Sequence, residues 1–223
     1  IFREIFGIKF NTDVAFVEIG DFTVYNFQNH KEPIKKLSGG KLENIFTKDE
    51  PQYLVRFDAK ARHFEKAIEI ADIFLKRFEA TLNFCAGRRS KQIEIGIFNY
   101  LGWQYRRALV LSEDGGVTKS HKSDGPTDEA PIDEPFFKEP KNGFDKIWTI
   151  ISKNKLSEIE SKIILSIDWI GQSTNERSPT DAFLKAAIAL EVLLTFDEKE
   201  PITPSITYRL SESSALILGK NLS

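Results

Sequence analysis

Cysteine and histidine are scarce in this sequence, and methionine is absent. The scarcity of cysteine and histidine limits the chemistry that the protein can perform. The single cysteine, Cys85, excludes an internal disulfide framework and a zinc site made of cysteine ligands. The three histidines, His30, His63 and His121, show no spacing that would pair them as metal ligands. We therefore expect neither a metal nor another cofactor. The chain has no methionine and begins at Ile1, so we expect it to be a fragment or to lack some residues.

Long apolar runs and an excess of charge of one sign are also absent. No stretch approaches the ~20 apolar residues of a transmembrane helix, and no signal-peptide pattern occurs. We therefore expect a cytoplasmic protein without membrane contact. A net charge of -2 argues against binding nucleic acid over the whole surface, and leaves local basic patches open.

The first 111 residues predict a sheet of about five strands with one long helix. Apolar and polar side chains alternate in four stretches, residues 13–28, 52–57, 93–100 and 104–111. The first of these turns at Gly20-Asp21, which predicts a hairpin. Residues 59–86 carry apolar side chains at helical spacing, and Gly87 is a suitable helix end.

Residues 112–143 are rich in Gly, Pro, Asp, Glu and Ser, which predicts a flexible acidic linker. It is either a tether or a segment laid over the first domain, with Phe136 and Phe137 as anchors. The rest of the chain reads as helices over residues 144–153, 156–172, 180–196 and 203–218. The sequence therefore predicts an α+β protein with an N-terminal α+β domain (residues 1–111), the linker, and a C-terminal helical bundle (residues 144–223).

One carboxylate lies in the apolar stripe of the third predicted C-terminal helix. Glu191 shares a helix face with Leu184, Ile188 and Leu194. An unpaired charge in a closed core costs several kcal/mol, so we expect a partner, and the next predicted helix offers Arg209. Glu191 then either forms a structural ion pair or faces a functional site, where it would orient a catalytic group. Arg209 is correspondingly a phosphate contact or the partner of Glu191.

The same stretch resembles the Apea-type branch of the HEPN families. Three features carry the resemblance: A-L-E-x-L-L at residues 189–194, I-T-x-x-I-x-Y-R-L at residues 202–210 after a short acidic connection, and a small-residue helix ending at Leu218-Gly219. Such proteins carry a further motif on a later helix, an arginine and a histidine separated by four to six residues. We expect that motif after Ser223.

The resemblance implies a metal-independent endoribonuclease that acts as a toxin or in defence against phage. It implies that RNA binds the C-terminal domain, that two bundles form a homodimer, and that the N-terminal domain senses or regulates. Glu191 and Arg209 would belong to the site. The alternative is a non-catalytic module that binds nucleotide or protein, or a bundle that only dimerises.

Two other patterns have simpler explanations. Arg56 and His63 have the spacing of the motif, but Arg56 is predicted at a strand end, so we interpret the match as chance. Arg88, Arg89 and Lys91 follow the long predicted helix. They compensate the negative end of its dipole or, with the arginines at 106 and 107, bind phosphate; we favour the first interpretation.

Overall fold

The computed structural model describes residues 1–29, 31–32, 36, 52–88, 93–98, 128–176 and 178–194, together with the backbone of residues 104–111 and 117–124. Sheet and helices are both present, and the fold is α+β as predicted. The predicted helix over residues 203–218 lies outside the described residues.

An antiparallel four-stranded sheet forms the first layer. Its strands are β1 (Phe2–Glu4), β3 (Phe16–Ile19), β4 (Phe22–Asn26) and β5 (Tyr53–Phe57), in the order β1-β5-β4-β3. The predicted hairpin is confirmed, with Ile19 opposite Phe22 across the turn. Gly20 has a φ of 58°, a left-handed conformation that glycine adopts without steric cost.

Two smaller strand pairs complete the described β-structure. Strand β2 (Ile8–Lys9) pairs in parallel with β8 (Ala130–Pro131). Strand β6 (Gln104–Leu111) was predicted, but its antiparallel partner β7 (Val117–Asp124) falls within the predicted linker. The Gly and Asp residues around β7 are typical of a linker, so the composition did not predict a strand here. Pairing with β6 nevertheless satisfies the backbone hydrogen bonds of β7.

The helices lie close to their predicted positions, except that the long helix begins at residue 64 rather than at residue 59. They are α1 (Phe64–Gly87), α2 (Phe144–Ile151), α3 (Glu158–Thr174) and α4 (Pro179–Leu194). Helix α3 begins with a capping box: the Ser157 hydroxyl accepts from the Glu160 backbone N–H at 3.3 Å, and the Glu160 carboxylate accepts from the Ser157 N–H at 2.9 Å.

The main core lies between the sheet and α1. Phe22 of β4 stacks on Phe78 of α1 with ring centroids 4.3 Å apart, and Trp148 of α2 contacts the same ring at 5.6 Å. Phe137 and Phe144 are buried in the same core. Residues 128–143 therefore lie over the N-terminal part, the second of the two interpretations of the linker. The division of the whole chain into domains stays a prediction.

The predicted strand over residues 93–100 is wrong for the described residues 93–98, which form isolated bridges only. Side chains of α1 replace a neighbouring strand. Asn83 accepts from the Ile95 N–H at 2.9 Å and donates to the Ile95 carbonyl at 2.6 Å. Glu79 accepts from the N–H groups of Ile97 and Phe98, each at 2.7 Å. The alternation of apolar and polar side chains does not show whether the backbone N–H and C=O groups are bonded by a neighbouring strand or by side chains of a helix.

Helix α3 packs against α1, and α4 packs against α3. Gly171 allows the first contact, because a β-carbon at this position would lie 2.9 Å from the backbone oxygen of Ala80. The two helices approach more closely than side chains at this point would permit. This close approach positions the polar groups described below.

Candidate functional site

Glu191 lies on α4, and its side chain is partly buried. The helical stripe that contains it is not one closed face: Leu194 is buried, whereas Leu184 is 56% exposed. Arg209 lies outside the described residues, so the contact between Glu191 and Arg209 stays a prediction. The Glu191 side chain is therefore neither fully buried nor fully exposed, which is compatible with both of its predicted roles.

Helices α3 and α4 expose further apolar residues. The exposed fraction is 76% for Phe183 and 52% for Leu190 on α4. Ile159 and Leu165 on α3 are 48% and 46% exposed. Apolar residues at single exposed positions are ordinary, but several on one pair of helices supply apolar area for a contact.

A cleft of about 910 Å³ lies between α1 and α3. Its walls come from residues 76–83 of α1 and 161–172 of α3, its floor includes Ile95, and Lys185 of α4 lies at its edge. This volume is within the range of small-ligand sites. Sequence reasoning missed the cleft because its residues come from stretches far apart in the chain, and only the close contact at Gly171 brings them together.

Asn83 connects three elements at this cleft. Besides its two hydrogen bonds to Ile95, it donates to the Glu79 carbonyl on α1 at 3.1 Å. Its carbonyl oxygen also accepts from the side-chain amide of Asn175, just beyond α3, at 2.9 Å. Asn83 is buried, and these bonds use both protons of its amide and both lone pairs of its carbonyl oxygen. The asparagine therefore fixes α1, the segment at residue 95 and the end of α3 relative to one another.

Charges of both signs surround the cleft. The Lys76 ammonium lies 5.7 Å from the centre of the Phe98 ring, and Arg77 donates to the Lys153 carbonyl at 3.3 Å. Burial lowers the pKa of the Arg77 guanidinium, which is a sign of partial desolvation. On α3, the Asp168 carboxylate accepts from Gln172 at 3.2 Å.

The edge of the cleft near α4 is closed by an ion pair. The Lys185 ammonium lies 2.7 Å from the Glu176 carboxylate, and their side chains are 27% and 25% exposed. This pair joins the end of α3 to α4. Residues of α1, α3 and α4 therefore all contribute to the cleft, and α4 also carries Glu191.

Comparisons with known proteins add no relative. No family model, curated protein or solved structure matches this chain. In the described part of the chain, no three His, Cys, Asp or Glu side chains are placed to hold a metal ion. None of the described helices is long and apolar enough to span a membrane.

Arg56 and His63 lie on different elements, as expected for a chance match to the motif. Arg56 of β5 forms an ion pair with Asp58 at 2.5 Å, whereas His63 is the N-cap residue of α1. Arg88 lies over the Phe144 ring at 5.8 Å. Residues 89 and 91 lie outside the described residues, and the side chains at 106 and 107 are also not described, so the phosphate-binding alternative stays open.

Cys85 is not a candidate nucleophile. Burial raises the pKa of its thiol to about 12, so the thiolate does not form at neutral pH. The side chain is fully buried in the main core. Its role is packing.

Proposed function

We propose that this protein is a metal-independent endoribonuclease of the HEPN type, a cytoplasmic toxin or anti-phage effector whose N-terminal part senses or regulates. The observation that carries the proposal is the A-L-E-x-L-L sequence on α4, which places Glu191 at a partly buried position of that helix. The I-T-x-x-I-x-Y-R-L sequence with Arg209 follows shortly after it. Both sequences resemble those of Apea-type HEPN proteins, and this resemblance supports the proposal.

The proposed reaction uses the RNA itself as nucleophile. A histidine on the helix expected after Ser223 takes the proton of a ribose 2'-hydroxyl or serves proton transfer to the leaving group. The 2'-oxygen attacks the adjacent phosphorus, and the bond to the 5'-oxygen breaks. Arg209 stabilises the charge on the phosphate oxygens in the transition state, and Glu191 orients the arginine or the histidine.

RNA binds the C-terminal helices in this proposal, and two copies form a homodimer. The exposed apolar residues of α4 support a protein contact, because burial of each large side chain contributes roughly 1.5 to 3 kcal/mol. A dimer would bring two motifs together. The net charge of -2 means that RNA contacts must be local rather than spread over the surface.

The test uses the polypeptide extended beyond Ser223, with cleavage of labelled RNA measured in EDTA. Arg209→Ala should reduce the cleavage rate by about 100-fold, as the loss of a transition-state charge contact does. Glu191→Gln should reduce it by about 10-fold, because the amide keeps the shape and loses the charge. Full cleavage by the Arg209→Ala variant would contradict the proposal.

Matched controls separate chemistry from folding. Arg62→Ala removes an exposed arginine before α1, and Glu158→Gln removes an exposed carboxylate at the start of α3. Both controls should cleave within about twofold of the wild type, since exposed charges of this kind contribute little to stability. An equal loss in controls and site variants would assign the effect to folding.

A non-catalytic binding module is the second candidate, and the cleft between α1 and α3 favours it. The cleft has the size and the convergent polar groups of a ligand site. Ligand binding at the cleft without RNA cleavage by the extended polypeptide would support this function. Cleavage that disappears in the Arg209→Ala variant would support the nuclease.

A further inference from the structure

The lining of the cleft excludes several classes of ligand. Eleven of its seventeen lining residues are polar or charged, so an apolar ligand would bury groups without satisfying them. Four carboxylates against three cations leave a net formal charge of -1, which is unfavourable for a polyphosphate or a nucleic-acid backbone. The three cations equally oppose a polyamine. A ligand that carries charges of both signs fits this lining best.

The α1 wall and the α3 wall of the cleft carry opposite charges, once the Lys185–Glu176 ion pair is set aside. On α1, the Lys76 ammonium lies over the Phe98 ring and Arg77 donates to a backbone carbonyl, so both contacts are with uncharged groups and an acidic group can still pair with either cation. On α3, Asp168 accepts from the uncharged amide of Gln172, so a basic group can still pair with its carboxylate. The walls therefore suit a ligand with an anion towards α1 and a cation towards α3.

The size of the cleft and its uncharged lining groups narrow the class of ligand further. A volume of about 910 Å³ exceeds what one amino acid would fill. The side-chain amides of Gln172 and Asn175 can bond peptide groups, and Ile164 and Leu165 supply apolar surface. We propose that this cleft binds a short peptide segment that carries an acidic and a basic side chain.

Two buried, hydrogen-bonded side chains hold the backbone beside the cleft in place. Asn83 and Glu79 are 6% and 9% exposed, and both fix residues 95–98 to α1 through hydrogen bonds. A rigid support reduces the entropy lost when a ligand binds. Peptide binding here does not depend on RNA cleavage, so failure of one leaves the other to be tested separately.

The test selects binders to the immobilised full chain from a random dodecapeptide library displayed on yeast. Enriched sequences should combine acidic and basic residues at a constant spacing. Affinities of synthetic versions are then measured by fluorescence polarisation. Lys76→Glu and Asp168→Lys should each weaken binding at least 10-fold, because each places like charges together. The Asp168→Lys variant should also select peptides in which the basic residue is replaced by an acidic one.

Two matched controls reverse charges on the exposed part of α1, away from the cleft. Lys66→Glu and Glu69→Lys break one exposed ion pair, whose side chains are 64% and 63% exposed. Both should bind the selected peptides within about twofold of the wild type and keep the melting temperature. The proposal is overturned if no sequence is enriched over a Lys76→Glu/Asp168→Lys double variant, or if the cleft variants bind the peptides as well as the controls do.

Discussion

The sheet with α1 and the pair α3–α4 differ in how completely they bury their apolar residues. Between sheet and α1, Phe22, Leu75 and Phe78 are 0% exposed. On α4, Phe183 and Leu184 are 76% and 56% exposed. The first region is a closed core, whereas the second presents apolar surface in the described part of the chain. Stability should therefore depend on the first region, and recognition should be sought on the second and at the cleft between them.

The largest expected difference in the free energy of unfolding is between variants of two phenylalanines, one in each region. Phe78→Ala removes a buried ring that stacks on Phe22, and should lower the free energy of unfolding by about 4 kcal/mol. Phe183→Ala removes an exposed ring and should change it by less than about 0.5 kcal/mol. Urea unfolding monitored by circular dichroism measures both. Similar losses for the two variants would show that Phe183 is buried in the protein in solution.

The next effect concerns Asn83, where the two regions meet. Asn83→Ala leaves the backbone N–H and carbonyl of Ile95 without their partners, and should cost about 3 kcal/mol. Asn175→Ala removes one bond to Asn83 and should cost about 1 kcal/mol. Chemical denaturation gives both values. Hydrogen exchange should also accelerate at the Ile95 amide in the first variant, and an unchanged rate there would refute the role given to Asn83.

A smaller effect is expected at the contact of α1 and α3. Gly171→Ala places a β-carbon 2.9 Å from the backbone oxygen of Ala80, so the helices must separate. Alanine favours a helix by about 1 kcal/mol over glycine, yet we expect a net destabilisation of about 1 to 2 kcal/mol. Gln172→Ala, at the exposed neighbouring position, serves as the control and should have little effect. A stabilised Gly171→Ala variant would mean that the helices are not so close.

The smallest effect is electrostatic and depends on pH. The hydrogen bond from Lys153, followed by that from the Ser157 backbone, lowers the pKa of Glu160 from 4.5 to about 2. Its contribution to stability is therefore present above about pH 4.5 and is lost as the pH falls towards 2. Glu160→Gln should melt slightly below the wild type at pH 7, and the difference should vanish near pH 2. A difference independent of pH would contradict the assignment.

Local patterns in the sequence predict the helices of the described chain and much of its sheet. The end of α1 at Gly87, the start of α3, the hairpin at Gly20 and the strand at residues 53–57 all follow from side-chain spacing, capping residues and turn residues. The wrong prediction at residues 93–98 has a physical reason. Glu79 and Asn83 lie in a helix pattern, and nothing local indicates that their side chains bond a distant backbone.

The two candidate sites, Glu191 and the cleft, also differ in how far they can be predicted from the sequence. Glu191 can be recognised from the sequence because it interrupts an apolar stripe, and the structure places it at a partly buried position on α4. The cleft was not predicted, because Lys76, Asp168 and Lys185 become neighbours only through packing. Gly171 was the available signal: a glycine inside a helix costs about 1 kcal/mol and indicates a close approach.

The most direct test of the proposed nuclease is the chemistry of the RNA ends that it leaves. The polypeptide extended beyond Ser223 is incubated with total RNA in EDTA, and the fragments are analysed for their terminal groups. Attack by the 2'-hydroxyl predicts 2',3'-cyclic phosphates on one fragment and 5'-hydroxyls on the other, produced by the wild type and not by a variant that lacks the expected histidine. Fragments with 3'-hydroxyl ends, or cleavage that requires a divalent cation, would contradict the account.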